Sequence, residues 1–227
     1  MSNIHDSKLS LEYLVRLPAV PSTKPPVLIL LHGYGANEQD LFSLASMLPE
    51  ELLLVCARAP KTLGVGQYAW FDIDYSTGKP VGNMEQAEIA RTKVKHFVDE
   101  IIEYFHADTS RVFLGGFSQG AMLSFSVGLT FPGLLAGILP MSGRIVPEVQ
   151  QKITKENAPK QLPVFLAHGT LDQVIPVRYA HDAREYLREL GVRTEYHEYP
   201  IAHTISSEEV VAVSNWLGKM LRTLPQK

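Results

Sequence analysis

The segment Gly116-Phe117-Ser118-Gln119-Gly120 holds a serine between two glycines, with the apolar run Val112-Phe113-Leu114 before it and the helix-forming run Ala121-Met122-Leu123-Ser124-Phe125 after it. A serine hydroxyl is a poor nucleophile at neutral pH and becomes a good one only when it is thrust forward beside a base. The G-x-S-x-G pattern does this at a strand-to-helix turn, where the glycines let both elements approach without a Cβ clash. Such a nucleophile requires a carboxylate and then an imidazole later in the chain, each on a loop that follows a strand. Leu162-Pro163-Val164-Phe165-Leu166-Ala167 has the composition of a buried strand and leads into His168-Gly169-Thr170-Leu171-Asp172, which places Asp172 on a loop after it. The alternating run Arg193-Thr194-Glu195-Tyr196-His197-Glu198-Tyr199 is closed by Pro200, and His203 follows as the expected base. His197 is the rival, but inside the strand its side chain is fixed to one sheet face.

Acyl transfer by these groups also needs backbone N–H donors aimed at the oxygen that becomes negative in the tetrahedral intermediate. One comes from the residue after the nucleophile, Gln119. The other comes from an early glycine-rich turn, His32-Gly33-Tyr34-Gly35-Ala36-Asn37, which follows the apolar run Val27-Leu28-Ile29-Leu30-Leu31 and supplies Tyr34. His32 is read as a structural histidine, and Ser142, without an elbow around it, as a loop residue. Cys56 follows the apolar Leu52-Leu53-Leu54-Val55 and reads as a small core residue rather than a nucleophile. The histidines have no H-E-x-x-H or other metal-ligand spacing, so no metal is expected.

The elements that must carry these residues alternate between strand and helix, the pattern of a mainly parallel sheet covered on both faces. An edge strand is expected over 9–17 and a buried one over 52–57. A helix starting at Asn37 or Asp40 carries Leu41, Leu44, Ala45 and Leu48 towards Pro49. A long helix over 85–105 presents Val94, Phe97, Val98, Ile101, Ile102 and Phe105 as one apolar stripe. The helix after Ser118 ends near Phe131-Pro132, and a strand follows over 134–140. A helix over 179–190 is capped by Gly191, and a last helix starts at Ser206 with Glu209 as its capping-box partner. Between 60 and 83 there is no periodicity, only glycines and aromatics. A loop of that length in a compact domain is usually functional, and Leu63, Val65, Trp70 and Phe71 are expected to wall an acyl pocket.

The composition excludes several function classes. The chain has 227 residues, 45% of them hydrophobic, and no linker or low-complexity stretch, so residues 1–227 read as a single domain. Its net charge of −3 with scattered Lys and Arg offers no basic stripe for nucleic acid or an anionic membrane. No apolar run approaches the roughly 18 residues of a membrane span, so no stable membrane insertion is expected. The single cysteine permits a reducing compartment, and a soluble, cytoplasmic protein is expected.

Taken together, Leu31-His32-Gly33-Tyr34-Gly35, Trp70-Phe71-Asp72, Gly115-Gly116-Phe117-Ser118-Gln119-Gly120, His168-Gly169-Thr170-Leu171-Asp172 and the lone His203 resemble the phospholipase/carboxylesterase group of α/β-hydrolases, which includes the acyl-protein thioesterases. The resemblance covers nearly the whole chain. It implies the α/β-hydrolase fold, no cofactor, and a serine hydrolase acting on small-molecule carboxylic esters or thioesters, lysophospholipids among them; the apolar wall expected in the 60–83 segment adds short to medium acyl chains as the expected range. A homodimer is compatible with it. Tyr34 stands where the thioesterase subgroup usually has leucine, and Ala121 where many members carry a further glycine, so the triad carries over more firmly than the substrate. The competing readings are a lactone hydrolase resembling the dienelactone hydrolases, which carry cysteine where Ser118 stands, and a non-catalytic ligand-binding module on the same fold.

Overall fold

The computed structural model describes residues 9–74, 76 and 80–224. In chain order, β1 (Tyr13–Arg16), β2 (Val27–Leu31), α1 (Glu38–Phe42) and β3 (Leu53–Ala57) come first. Two small hairpins follow, β4 (Lys61–Gly64) with β5 (Gln67–Ala69), and β6 (Ile73–Asp74) with β7 (Val81–Gly82). The remaining elements are α2 (Met84–Tyr104), β8 (Val112–Phe117), α3 (Gln119–Thr130), β9 (Gly137–Met141), α4 (Pro147–Gln150), β10 (Val164–Gly169), α5 (Arg178–Glu189), β11 (Thr194–Tyr199) and α6 (Ser207–Thr223).

The seven-stranded sheet has the order β1-β3-β2-β8-β9-β10-β11, parallel throughout except for the antiparallel edge strand β1. Helices cover both faces, so the inner strands are apolar at every position rather than at alternate ones. Along β2, Val27, Ile29 and Leu31 pack into one core with Val94, Phe97 and Val98 of α2, while Leu28 and Leu30 pack into the other with Trp216 and Leu217 of α6. That two-residue alternation is the strand period, and it sorts one continuous apolar run into two cores. Burying Phe97 alone is worth about 2 kcal/mol. This is the α/β-hydrolase architecture, with a mostly parallel sheet between helical layers. Among the described residues no helix is long and apolar enough to cross a membrane.

Several helix ends follow the local signals. Asn37 caps α1 by accepting the Gln39 N–H at 2.9 Å, and Asn83 caps α2 by accepting that of Gln86 at 3.0 Å. Gly191 has φ 74°, and Val192 N–H returns to Leu187 O at 2.9 Å, closing α5 in the left-handed manner.

Other expectations need correction. The helix ahead of Pro49 stops at Phe42, and a single 3₁₀ turn, Ala45–Met47, takes its place. The guanidinium of Arg16 donates to the carbonyls of Ala45, Leu48, Pro49 and Leu52 and pins the segment in this turned form. Strand β9 begins only at Gly137, after a turn through Gly133 with φ 83°. Strand β10 runs on through His168 and Gly169, so His168 sits on the sheet and not on the loop. The 60–83 segment, expected as a loop, forms the two hairpins; its residues 75 and 77–79 lie outside the described residues.

Candidate active site

Strand β8 delivers Ser118 to the sheet edge, and the backbone turns there with φ 56° and ψ −114°. A non-glycine residue in that region costs of order 1–3 kcal/mol, and it holds only where the surroundings fix it. The surroundings are close. A Cβ on Gly120 would overlap the Leu31 carbonyl, and one on Gly116 would overlap the backbone of Gly120, so the elbow presses directly on β2. Ser118 N–H is tied to Met141 O at 3.1 Å. Ser118 as a whole is 8% exposed.

Registry brings the partners to the same edge. Phe117 pairs with Met141 and Met141 with Ala167, so β8, β9 and β10 all end side by side. The loop after β10 then places Asp172, whose Oδ1 accepts the N–H groups of Val174 and Ile175, each at 2.8 Å. Its Oδ2 accepts from His203 Nδ1 at 2.6 Å. With that nitrogen protonated, His203 Nε2 is free to accept the Ser118 hydroxyl, 3.0 Å away. Ser118, His203 and Asp172 thus form one hydrogen-bonded chain across residues far apart in sequence. Phe117 backs the imidazole, with ring centroids 4.7 Å apart.

His197 stays outside this chain. Its ring stacks on Phe165 at 4.8 Å, and its Nε2 lies 3.2 Å from Glu195. His32 is buried with both nitrogens used: Nδ1 donates to Gly33 O at 2.7 Å and Nε2 accepts Ala59 N–H at 3.0 Å. Burial lowers its pKa and keeps it neutral. Cys56 is buried in the core, where desolvation raises its pKa far out of the thiolate range.

The turn after β2 lies across the elbow, and a Cβ on Gly33 would stand 3.2 Å from that of Ser118. Neither Tyr34 nor Gln119 gives its backbone N–H to an acceptor among the described residues. The hairpin β4–β5 is fastened to this turn by Gly35 N–H to Tyr68 O at 2.8 Å and Tyr68 N–H to Ala36 O at 2.9 Å. Its tip carries Val65, fully exposed, with Leu63 38% exposed behind it.

Trp70 and Phe71 stand differently. Each is 2% exposed and packed in the core, so the pocket wall expected from them is instead a seal beneath the hairpin. Trp70 Nε1 donates to His32 O at 2.9 Å. The side chain of Gln119 grips the backbone on both sides of them, accepting Trp70 N–H at 3.0 Å and donating to Phe71 O at 2.8 Å.

Sequence reasoning assigned no role to that Gln119 amide or to His168. His168 is wholly buried, donates from Nε2 to Ile175 O at 2.7 Å, and stands 3.5 Å from Asp172 Oδ2. It braces the loop that holds the carboxylate, and burial keeps its pKa low. Its place at the end of β10 was the available signal. No group of His, Cys, Asp or Glu able to hold a metal ion occurs among the described residues.

The family model described as phospholipase/carboxylesterase matches residues 15–221. A Neurospora crassa protein named acyl-protein thioesterase 1 is 31% identical, covering 93% of each chain. An Arabidopsis thaliana protein named carboxylesterase SOBER1 is 29% identical over 86% of this chain and 90% of its own. Among solved structures, esterase PE8 superposes with a TM-score of 0.81 at 29% identity, covering 94% of this chain and 99% of that one. The chain belongs to the phospholipase/carboxylesterase family of α/β-hydrolases.

Proposed function

We propose that this enzyme hydrolyses carboxylic esters and thioesters through an acyl-enzyme on Ser118. The observation that carries the reading is the chain of hydrogen bonds from Ser118 Oγ through His203 to Asp172, at 3.0 and 2.6 Å. The named relatives, thioesterases and carboxylesterases, support the same bond type. As Ser118 Oγ attacks the carbonyl carbon, His203 Nε2 takes its proton, and Asp172 holds the imidazole orientation and stabilises its charge. The carbonyl oxygen becomes an oxyanion and is received by the N–H groups of Tyr34 and Gln119. Collapse breaks the bond to the leaving oxygen or sulfur, which takes the proton from His203 and departs as alcohol or thiol. Water then attacks the acyl-serine while His203 accepts its proton, and the carboxylic acid leaves with Ser118 restored.

The acyl group runs along exposed apolar side chains: Tyr34 on the turn after β2, Leu63 on the hairpin fastened to that turn, and Leu171 and Val174 on either side of Asp172 in the chain. Ser118→Ala tests the reading. The variant should melt like the parent and lose kcat/KM on 4-nitrophenyl butyrate by roughly 10⁴-fold, because no other group can carry the acyl chain. A folded variant that kept a tenth of the activity would overturn it.

A further inference from the structure

Arg144 and Arg178 converge on Tyr179, with guanidinium carbons 5.2 and 5.1 Å from the centre of its ring. Both come from the loops that frame the triad. Arg144 lies two residues beyond Ser142, which continues β9 beside Ser118 and is tied to Ala167 O at 2.9 Å. Between them Gly143 sits on the first turn of the elbow helix, where a Cβ would overlap that of Ala121. Arg178 and Tyr179 open α5 at the end of the loop that carries Asp172.

Arg58 is neutralised by Glu38 and Glu12, Arg91 by Glu88, Arg111 by Asp108 and Arg188 by Glu185, while Arg16, Arg184, Arg193 and Arg222 lie outside ion-pair distance of a carboxylate among the described residues; what sets Arg144 and Arg178 apart is that both stand on one ring. Among the described residues, no carboxylate comes within ion-pair distance of Arg144 or Arg178. Two cations gathered on one ring without a counter-charge repel each other, in a protein whose net charge is −3 and which has acids to spare. The field they create is felt by Tyr179, whose hydroxyl is held below the ordinary tyrosine range by hydrogen bonding to Arg178 first and by the Arg144 charge besides. Ser142 adds a wholly buried hydroxyl oxygen that has no partner among the described residues, at the base of the same loop. Planar guanidinium forks suit a carboxylate or phosphate, each of which can take paired N–H donors.

We propose that Arg144, Arg178 and Tyr179 form an anion-binding subsite at the rim of the active-site cleft, so that the preferred ester carries a carboxylate or phosphate away from its scissile bond. This rests on the esterase reading above. The experiment compares kcat/KM within matched pairs: 4-nitrophenyl pentanoate against 4-nitrophenyl hemiglutarate for an anion on the acyl side, and phenyl acetate against 4-acetoxybenzoate and 4-acetoxyphenyl phosphate for one on the leaving side. At low salt at least one anionic ester should exceed its neutral partner by about tenfold, and the arm that does so identifies carboxylate or phosphate.

That ratio should collapse towards one in Arg144→Gln and in Arg178→Gln, and as ionic strength rises to about 0.5 M. Arg178 is exposed, so its variant keeps the test decisive should Arg144→Gln fail to fold. Anionic ratios at or below one for every pair, or a ratio unmoved by both variants, would overturn the subsite while leaving the esterase intact. Failure to turn over any ester, neutral or charged, would instead sink the esterase reading and the subsite with it.

Discussion

Glu209 is fully buried on the first turn of α6, just after the loop of His203, and its two carboxylate oxygens have no hydrogen-bond partner among the described residues. Its backbone N–H is capped by Ser206 Oγ at 3.2 Å, so the Ser206 half of the expected capping box is formed, but the return bond from the carboxylate is not made at bonding distance. Burial pushes its pKa from 4.5 up to about 7. A folded-state pKa above the unfolded one means the native protein binds this proton more tightly, so stability is gained as pH falls through that window and lost as pH rises through it. Glu209→Gln should therefore melt several degrees above the parent near pH 8, with the gap closing by about pH 5. An offset equal at both pH values would mean that the carboxylate remains ionised in the folded protein. The cap was legible because Ser206 and Glu209 are neighbours in sequence. The missing return bond was not, since it depends on how α6 settles against the sheet. The same distinction separates Ser118, Asp172 and His203, marked by residue type and strand-end position, from His168, whose contact with Asp172 exists only once β10 and its loop are in place.

Among the elements, the long apolar runs were the legible ones, because a strand or helix buried against a sheet repeats its pattern over many residues. The hairpins of 60–83 escaped for a physical reason. Their backbone groups are satisfied by partners remote in sequence, such as Ala36 for Tyr68 and the Gln119 side chain for Trp70. A local pattern cannot encode such pairing. The 3₁₀ turn at Ala45–Met47 escaped likewise, because Arg16 reaches it from another strand. The Gln119 clamp joins the elbow to the segment after β5, and its removal can be measured. Gln119→Leu would leave Trp70 N–H and Phe71 O buried without partners, a loss of roughly 1–3 kcal/mol for each. At about 2–4 °C per kcal/mol for a chain of this size, the melting temperature should fall by about 4–24 °C. Since the same hairpin supports the Tyr34 turn, kcat on simple esters should fall too. An unchanged melt would mean that water or a shifted backbone satisfies those groups, and that the clamp has no structural weight.

Across the whole molecule, the parallel strands β2, β8, β9, β10 and β11 end at one edge of the sheet, and the loops leaving that edge hold the triad and the arginine pair. Tyr34, Leu171 and Val174 add exposed apolar surface on those loops, and Leu63 and Val65 on the β4–β5 hairpin fastened to the Tyr34 turn, whereas Leu17, Val20, Met47, Val81, Ile89, Tyr104 and Val211 are exposed on other segments of the chain. Exposed apolar side chains gathered around a polar reaction centre favour substrates with hydrocarbon on the acyl side. A methylene fully removed from water is worth about 0.8 kcal/mol, close to fourfold in an equilibrium constant, and a groove open on one side yields about half that energy, roughly twofold per carbon. The gain reaches kcat/KM only insofar as the contacts persist in the transition state, so that is the quantity to follow. For neutral 4-nitrophenyl esters kcat/KM should climb from acetyl to medium chains at about that rate and then level off as the chain outruns the loops. Leu63→Ala should flatten the climb without altering the acetyl ester, whose methyl group is too short to leave the triad. A kcat/KM that fell steadily from two carbons upward would show that the apolar rim does not receive the acyl chain, and would leave the charged rim at Arg144 and Arg178 as the determinant of specificity.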